Sequence, residues 1–325
     1  MTTTTDAEFQ DIRTMRYDES DEFITLMEIA FKDSIEEDRL DAAEVRKVMK
    51  KVQSPFFKFL SKVLGIKMEF YVAERDNKIA SGILLQLDKN EVYVGDLMTL
   101  PTYRRQGLAR KLLRLSFKRA RDRGLKKVTL GARADNVNAV DLYKSEGFET
   151  TFHTGRFEHE FEKEETVNTS NDLIITEITK VVFEDVNPML DDCFPESHLE
   201  VQGREKFVKD FVPSRVVRFF AKRLGGQLIN TYAFSMPGDE RPRGYIQASQ
   251  SRIENRIRFS SPVLKEQDND LLREVIPRIL EIERGYRGVG TASINCSMHR
   301  TDAIFTIQSL GFKKIRESLS MTKRL

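Results

Sequence analysis

The sequence predicts a mixed α/β fold laid down twice in tandem, each copy a mostly antiparallel sheet flanked by helices. Three observations lead there. Residues 68–100 hold β-forming runs broken by two polar turns, and apolar residues at helical spacing follow over 108–120. A second strand and a second helix come directly after. The same order then recurs 164 positions further on, with matching residues.

The elements follow in turn. A first strand falls near Ile12, and residues 21–31 and 41–64 read as helices, the second basic with Phe56, Phe57, Phe59 and Leu60 on a partly apolar face. Met68-Glu69-Phe70-Tyr71-Val72-Ala73 is rich in β-formers, and Asp76-Asn77-Lys78 supplies a turn. Residues 79–87 make the next strand, Asp88-Lys89-Asn90 the next turn, and residues 91–100 the third strand. After Pro101 the period changes. Leu108, Leu112 and Leu115, with Ala109, Leu113 and Ala120, mark the inner face of a helix whose other faces are Arg and Lys. Gly124 stands where a left-handed residue is expected to end it. Lys127-Val128-Thr129-Leu130 is a short buried-type strand, residues 139–146 form a helix closed by Gly147, and residues 151–161 make one or two last strands. Residues 162–171 are polar and without period, a linker between a first domain, 1–162, and a second, 172–325.

The repeat is specific because several matches share one offset. Arg123-Gly124-Leu125 falls on Arg287-Gly288-Val289, and Val128-Thr129-Leu130 on Ala292-Ser293-Ile294. Ala139-Val140 falls on Ala303-Ile304, and Ser145 with Gly147-Phe148 on Ser309 with Gly311-Phe312.

Composition narrows the class. The chain has 325 residues, enough for two domains of roughly 150 residues each. It is 40% hydrophobic and 32% charged with a formal net charge of +2, the profile of a water-soluble globular protein. No apolar run is long enough to span a membrane, and Met1-Thr2-Thr3-Thr4-Thr5-Asp6 does not read as a secretory signal. Cys193 and Cys296 lie far apart, which argues against a disulfide framework, and His153, His159, His198 and His299 have no metal-ligand spacing. These features predict a cytoplasmic, metal-free protein.

The chemistry-bearing motif is Pro101-Thr102-Tyr103-Arg104-Arg105-Gln106-Gly107-Leu108-Ala109, set between a strand and a helix. The first N–H groups of a helix lack intrahelical partners, and with the positive end of the helix dipole they form an anion site. Gly107 can take a positive φ and Ala109 keeps the next turn clear. Arg104 and Arg105 add forked donors suited to phosphate. Arg104-x-x-Gly107-x-Ala109 resembles the pyrophosphate-binding signature of the GNAT acetyltransferase superfamily, [Arg/Gln]-x-x-Gly-x-[Gly/Ala]. Downstream, Asn136-x-x-Ala139-Val140-x-Leu142-Tyr143-x-x-x-Gly147-Phe148 resembles the same family's later motif, in the right order and at a fitting distance. The resemblance covers residues 12–161. It implies two tandem GNAT folds, each with a sheet splayed at its central strands, and acetyl-CoA as cosubstrate. The cofactor would be held by Leu97, Met98 and Thr99 along the strand, and by Arg104, Arg105, Gln106, Gly107, Leu108 and Ala109 at the turn. Asn136 and Tyr143 would complete its site.

The reaction implied is direct attack of an amine on the thioester, with the N–H of Leu97 or a neighbour on the carbonyl oxygen. Tyr143 would protonate the departing sulfur; on the residues alone it reads more readily as a half-buried helix aromatic, and the resemblance reverses that order. Asn136 contacts the cofactor or simply caps the next helix. Glu91 and Asp96 are the nearest acids able to take a proton from the attacking ammonium, although members of the family often use ordered water. The acceptor would be a small-molecule or peptide amine, with specificity set by residues 21–64 and 151–161. Oligomeric state is open.

Eleven Lys or Arg residues lie between Arg104 and Lys127 against one acid, Asp122; they read as a solvated helix face rather than a nucleic-acid surface. In the second half Arg104 maps to Asp268, Gln106 to Asp270, Gly107 to Leu271, Ala109 to Arg273 and Tyr143 to Ile307. That turn would repel a diphosphate, and Pro277 would kink its helix. The expectation is a degenerate second domain without CoA. A non-catalytic acyl-CoA-binding or regulatory module is the alternative function.

Overall fold

The computed structural model describes residues 9–37, 42–54, 67–160, 172–225, 227–251, 256–287 and 290–325. Phe56, Phe57, Phe59, Leu60, the linker and the Gly288-Val289 match lie outside these described residues. In the first repeat the chain forms β1 (Ile12–Thr14), α1 (Ser20–Ala30), α2 (Lys32–Glu37), α3 (Ala42–Gln53), β2 (Lys67–Arg75), β3 (Lys78–Leu87) and β4 (Val92–Thr99). It continues with α4 (Leu108–Arg121), β5 (Lys127–Arg133), α5 (Val137–Ser145) and β6 (Glu149–Glu160). The second repeat gives β7 (Ile174–Ile178), α6 (Phe183–Cys193), α7 (Glu196–Gln202), α8 (Arg204–Phe211), α9 (Arg215–Phe220), β8 (Leu228–Ser235), β9 (Gly244–Gln250), β10 (Ile257–Phe259) and β11 (Val263–Leu264). It ends with α10 (Leu272–Arg287), β12 (Thr291–Ser297), α11 (Thr301–Ser309) and β13 (Lys313–Arg324).

The offset seen in the sequence is kept by the elements. β5 and β12, α5 and α11, and β6 and β13 each begin and end 164 positions apart, and so do the first residues of α4 and α10. Gly147 and Gly311 occupy the same left-handed corner, with φ of 84° and 85°. The helix through Pro277 continues to Arg287, giving up a backbone hydrogen bond near its start rather than ending there.

The chain divides into two compact units. One takes the residues up to Ala132, Asn136–Thr150 and Ser320–Leu325; the other takes Arg133–Asp135 and Thr151–Leu319. The expected division 1–162 and 172–325 follows the sequence repeat; the units differ from it by placing residues 151–160 with the second and Ser320–Leu325 with the first. β12 pairs antiparallel with β6, from Thr291 opposite Glu160 to Ser297 opposite Thr154. The end of β13 lies beside β5, where Leu325 N–H donates to the Lys126 carbonyl at 2.9 Å.

In the first unit β1, β2, β3 and β4 run antiparallel in that order, and β5 joins β4 in parallel. Asp76 and Asn77, both left-handed, make the two-residue turn between β2 and β3, the geometry that matches the twist of a hairpin. Helix α1 packs Phe23, Ile24, Leu26 and Met27 against Phe70, Val72, Ile79 and Met98 of the sheet. Gly82 is required there: a Cβ would sit 2.7 Å from the Phe23 ring. In the second unit β7, β8, β9 and β10 are antiparallel, and β10 joins β12 in parallel. Its core gathers Tyr232, Phe234, Ile246, Phe259, Ile276 and Ile294.

Helix α4 is tied to β2 by Glu69, which is buried and accepts two hydrogen bonds from Arg119, both at 2.8 Å, and one from Tyr71 at 2.8 Å, with Lys67 at 2.7 Å. Burial alone would raise the Glu69 pKa, but the bonds from Arg119, Lys67 and Tyr71 overcome it and bring it down to about 2. A depressed carboxylate pKa stabilises the fold above its ordinary value of 4.5 and loses that contribution as the pH falls toward 2. Glu69→Gln is expected to cost about 2–3 kcal/mol at neutral pH, and the gap to the parent should shrink between pH 4.5 and 2. Urea unfolding across that range measures it, and a gap independent of pH contradicts the assignment.

Candidate functional site

The site is built by a strand that leaves its neighbour. β4 pairs with β5 only at Val92–Val128, Tyr93–Thr129 and Val94–Leu130. On its other edge Leu85 faces Val94 and Leu84 faces Asp96, so Gly95 is an extra residue, a β-bulge. Beyond the bulge β4 follows β3 to Thr99 without β5. The Leu100 N–H donates to the Ala80 carbonyl at 2.9 Å, on the β3 side. Strand alternation then turns the N–H and C=O of Leu97 and Thr99 to the opposite edge, which β5 has vacated. Met98 is buried between them, and its carbonyl accepts from Ser81 Oγ at 2.6 Å.

At the end of β4, Pro101–Tyr103 make one tight helical turn. Arg105 is left-handed at φ 65°, Gly107 likewise at 81°, and α4 begins at Leu108. The Lys111 N–H bonds the Gly107 carbonyl at 3.0 Å, so the N–H groups of Leu108, Ala109 and Arg110 precede the first helical bond. A Cβ on Gly107 would meet nothing within 4 Å; the glycine is required by its backbone angle, with open space above it. Arg104, Arg105 and Gln106 are exposed around this opening. Arg104 Nε leans back to the Thr99 carbonyl at 3.4 Å, and Gln106 Nε2 to the Thr102 carbonyl at 3.5 Å.

The basic helix resolves into paired and unpaired charge. Seven of the eleven cations meet carboxylates: Arg110 and Arg114 on Glu146, Lys111 on Asp11, Lys118 on Asp122, Arg119 and Arg123 on Glu69, and Lys127 on Glu91. Among the described residues Arg104 and Arg105 make no ion pair. Of the four cations outside these pairs, Arg104 and Arg105 stand at the turn, and Arg121 and Lys126 at the far end of the helix.

Tyr143 projects from α5 and is 8% exposed, its ring 6.0 Å from that of Phe148. Burial, with a smaller contribution from Tyr93, pushes its pKa up to about 12. Tyr93 was not singled out by the sequence, although strand alternation puts it on the face opposite buried Val92 and Val94. Its hydroxyl reaches over β5, 3.5 Å from where a Gly131 Cβ would be. Burial raises the Tyr93 pKa, and Asp96 and Glu91 add to it. Asp96, just past the bulge, has its pKa raised by burial. Tyr93 thus lies within electrostatic reach of both Asp96 and Tyr143. Glu91 is differently placed: it is buried, accepts from Thr129 Oγ1 at 3.1 Å and pairs with Lys127 at 3.4 Å. Asn136 caps α5, its side chain accepting from the Ala139 N–H at 3.3 Å.

The second repeat lacks the turn. Leu271 is not left-handed, Asp268 pairs with Arg243 at 3.5 Å, and Ile307 is fully buried in the core.

Residues 33–148 match the model of the Acetyltransferase (GNAT) family. No curated protein sequence matches the chain. Solved structures do, across both repeats: a tandem GNAT protein from the clavulanic acid biosynthesis pathway has a TM-score of 0.62 at 11% identity, covering 96% of this chain and 98% of that one. The chain has a tandem GNAT fold. A GCN5-related N-acetyltransferase from Sphaerobacter thermophilus gives 0.61 at 13% identity, covering 96% and 95%. The glucosamine N-acetyltransferase region of a fungal multi-domain GH3 β-N-acetylglucosaminidase gives 0.61 at 10%, covering 95% of this chain and 38% of that one. Among the described residues no group of three or more metal-ligating side chains comes together, and no helix is long and apolar enough to cross a membrane.

In this GNAT fold Gly107→Ala is expected to lose about 1 kcal/mol of stability, because the new Cβ meets only the cost of left-handed backbone. Chemical denaturation checks this; an unchanged midpoint contradicts the left-handed corner.

Proposed function

We propose that the protein is an N-acetyltransferase that moves an acetyl group from acetyl-CoA to a primary amine by direct attack, with its active site in the first repeat, residues 1–162. The observation that carries this is the joint opening of β4 away from β5 and of the turn at Gly107. One offers unpaired strand groups, the other helix N–H groups and two uncompensated arginines. Their chemistry suits an extended amide-bearing arm that ends in a diphosphate. The match of residues 33–148 to an acetyltransferase family supports the same reading.

Bound acetyl-CoA supplies the thioester. In this reading the N–H groups of Leu108, Ala109 and Arg110, with Arg104, Arg105 and Gln106, hold the diphosphate around Gly107. Leu97 and Thr99 pair with the arm through their free strand edge, beside Met98, and the Leu97 N–H donates to the carbonyl oxygen as charge develops there. Asp96 takes the proton from the attacking ammonium: its raised pKa makes it a stronger base than an ordinary carboxylate. Glu91, held by Lys127 and Thr129, keeps β4 and β5 together where they still pair. Tyr143 holds its proton at neutral pH and donates it to the departing sulfur. Asn136 serves as a helix cap. The second repeat, 172–325, binds no CoA.

Calorimetric titration with CoA is expected to give one site per chain; two sites contradict the assignment of the second repeat, and none contradicts the function. Tyr143→Phe should bind CoA normally and turn over about 100-fold more slowly. Unchanged turnover removes Tyr143 from the mechanism. The rate should rise with pH through a pKa above the ordinary carboxylate value, and Asp96→Asn should abolish that acid limb. A limb that persists in this variant assigns it to another group.

A further inference from the structure

In the second repeat the place of Asn136 is taken by Arg300, the residue before α11 as Asn136 is the residue before α5. Arg300 is 5% exposed, and its guanidinium does not turn to solvent. One nitrogen donates to the Pro262 carbonyl at 2.6 Å and another to Asn269 Oδ1 at 2.7 Å. By the repeat offset Pro262 corresponds to Met98, and Asn269 to Arg105. The first belongs to the stretch of strand that opens away from β5, the second to the anion-binding turn. Both acceptors are buried here, whereas Arg105 is exposed. No carboxylate within ion-pair distance of Arg300 occurs among the described residues. A guanidinium is thus held, nearly dry, by two neutral oxygens, one just before β11 and one in the turn that leads to α10.

We infer that Arg300 is a built-in ligand: the second repeat has converted the slot between its open strand and its turn into a guanidinium-binding site, filled by its own side chain. Two prongs suit the purpose, because the planar fork of arginine can reach two acceptors at once. Both acceptors would lose their partner if the side chain were removed, and buried acceptors without donors are costly. The site would then take a free guanidinium of the same shape. This assignment concerns the second repeat alone and holds whether or not the first repeat binds CoA.

The test is thermal unfolding of the full chain. Arg300→Ala is expected to lower Tm by roughly 5–10 °C. Methylguanidinium chloride at millimolar concentration should then raise the variant's Tm by several degrees over equal sodium chloride, with no such gain in the parent. A variant as stable as the parent overturns the assignment, and so does one that methylguanidinium does not restore. Arg300→Lys covers the case in which the alanine variant does not fold. It keeps the charge with one nitrogen where two acceptors diverge, and its Tm should fall below the parent's. A lysine variant as stable as the parent shows that charge alone suffices and overturns the two-pronged site.

Discussion

The constraint on which the first unit depends is that β4 cannot satisfy both of its edges along its whole length. Buried strand groups must find partners, and three residue pairs with β5 are all that β4 has on that side. The extra residue at Gly95 bends it away, so the edge from Leu97 to Thr99 faces an opening instead of a neighbour. In most sheets an exposed edge of this kind is an aggregation hazard. Here it lies in the interior of the sheet order, with β5 and the end of β13 beyond it, and can serve a bound molecule without being offered to another chain.

Charge is distributed to the same end. A stretch with nine cations and a single acid from Arg105 to Lys126 could be expected to repel itself and its surroundings. Glu69, Glu146 and Asp11 reach in from other elements and neutralise most of it. The pairs with exposed Arg110 and Arg114 add little stability, whereas Glu69 is buried and fixes the far end of the helix. What is left uncompensated at the near end is local, next to the backbone donors around Gly107. Arg121 and Lys126 at the opposite end have no helix N–H groups beside them, so it is the backbone donors that favour an anion at the turn rather than along the whole helix.

Much of this was legible in the sequence. The turn residues Asp76 and Asn77, the apolar face of α4, the corner at Gly107 and the repeat offset are all local patterns, and the structure places them where those patterns point. Other features depend on tertiary neighbours. Nothing in the order of residues around Glu91 reveals that Lys127 and Thr129 will hold it, because they sit on an adjacent strand. Asp96 owes its raised pKa to burial beside a bulge, and a bulge is one glycine in a run that otherwise alternates. The placing of residues 151–160 with the second unit and of Ser320–Leu325 with the first is silent for a different reason: β6 and β13 hold the same place in the repeat, and the offset alone does not say which unit each joins. Arg300 carries no signal of its own in the sequence, since a lone arginine before a helix looks solvated and its acceptors lie 31 and 38 positions away.

The joint between helix and sheet shows how far the copies have drifted under one backbone. In the first, Arg119 of α4 meets the carboxylate of Glu69. The position of Arg119 corresponds to Glu283 of α10, so the helix now contributes the acid. Glu283 is fully buried and accepts from Tyr232 at 2.7 Å, Asn230 at 2.9 Å and Gln250 at 2.6 Å. A charged pair and a carboxylate ringed by neutral donors are different solutions to one requirement, that polar groups in a buried joint be satisfied. Substituting the helix residue alone would have left two acids facing each other in the core, so the sheet had to change with it. Arg300 belongs to the same pattern: where the second repeat dropped the glycine corner and its arginines, it also filled the slot they had served. Loss of a site and its replacement by internal bonds are coupled because an empty, polar, buried slot is itself destabilising.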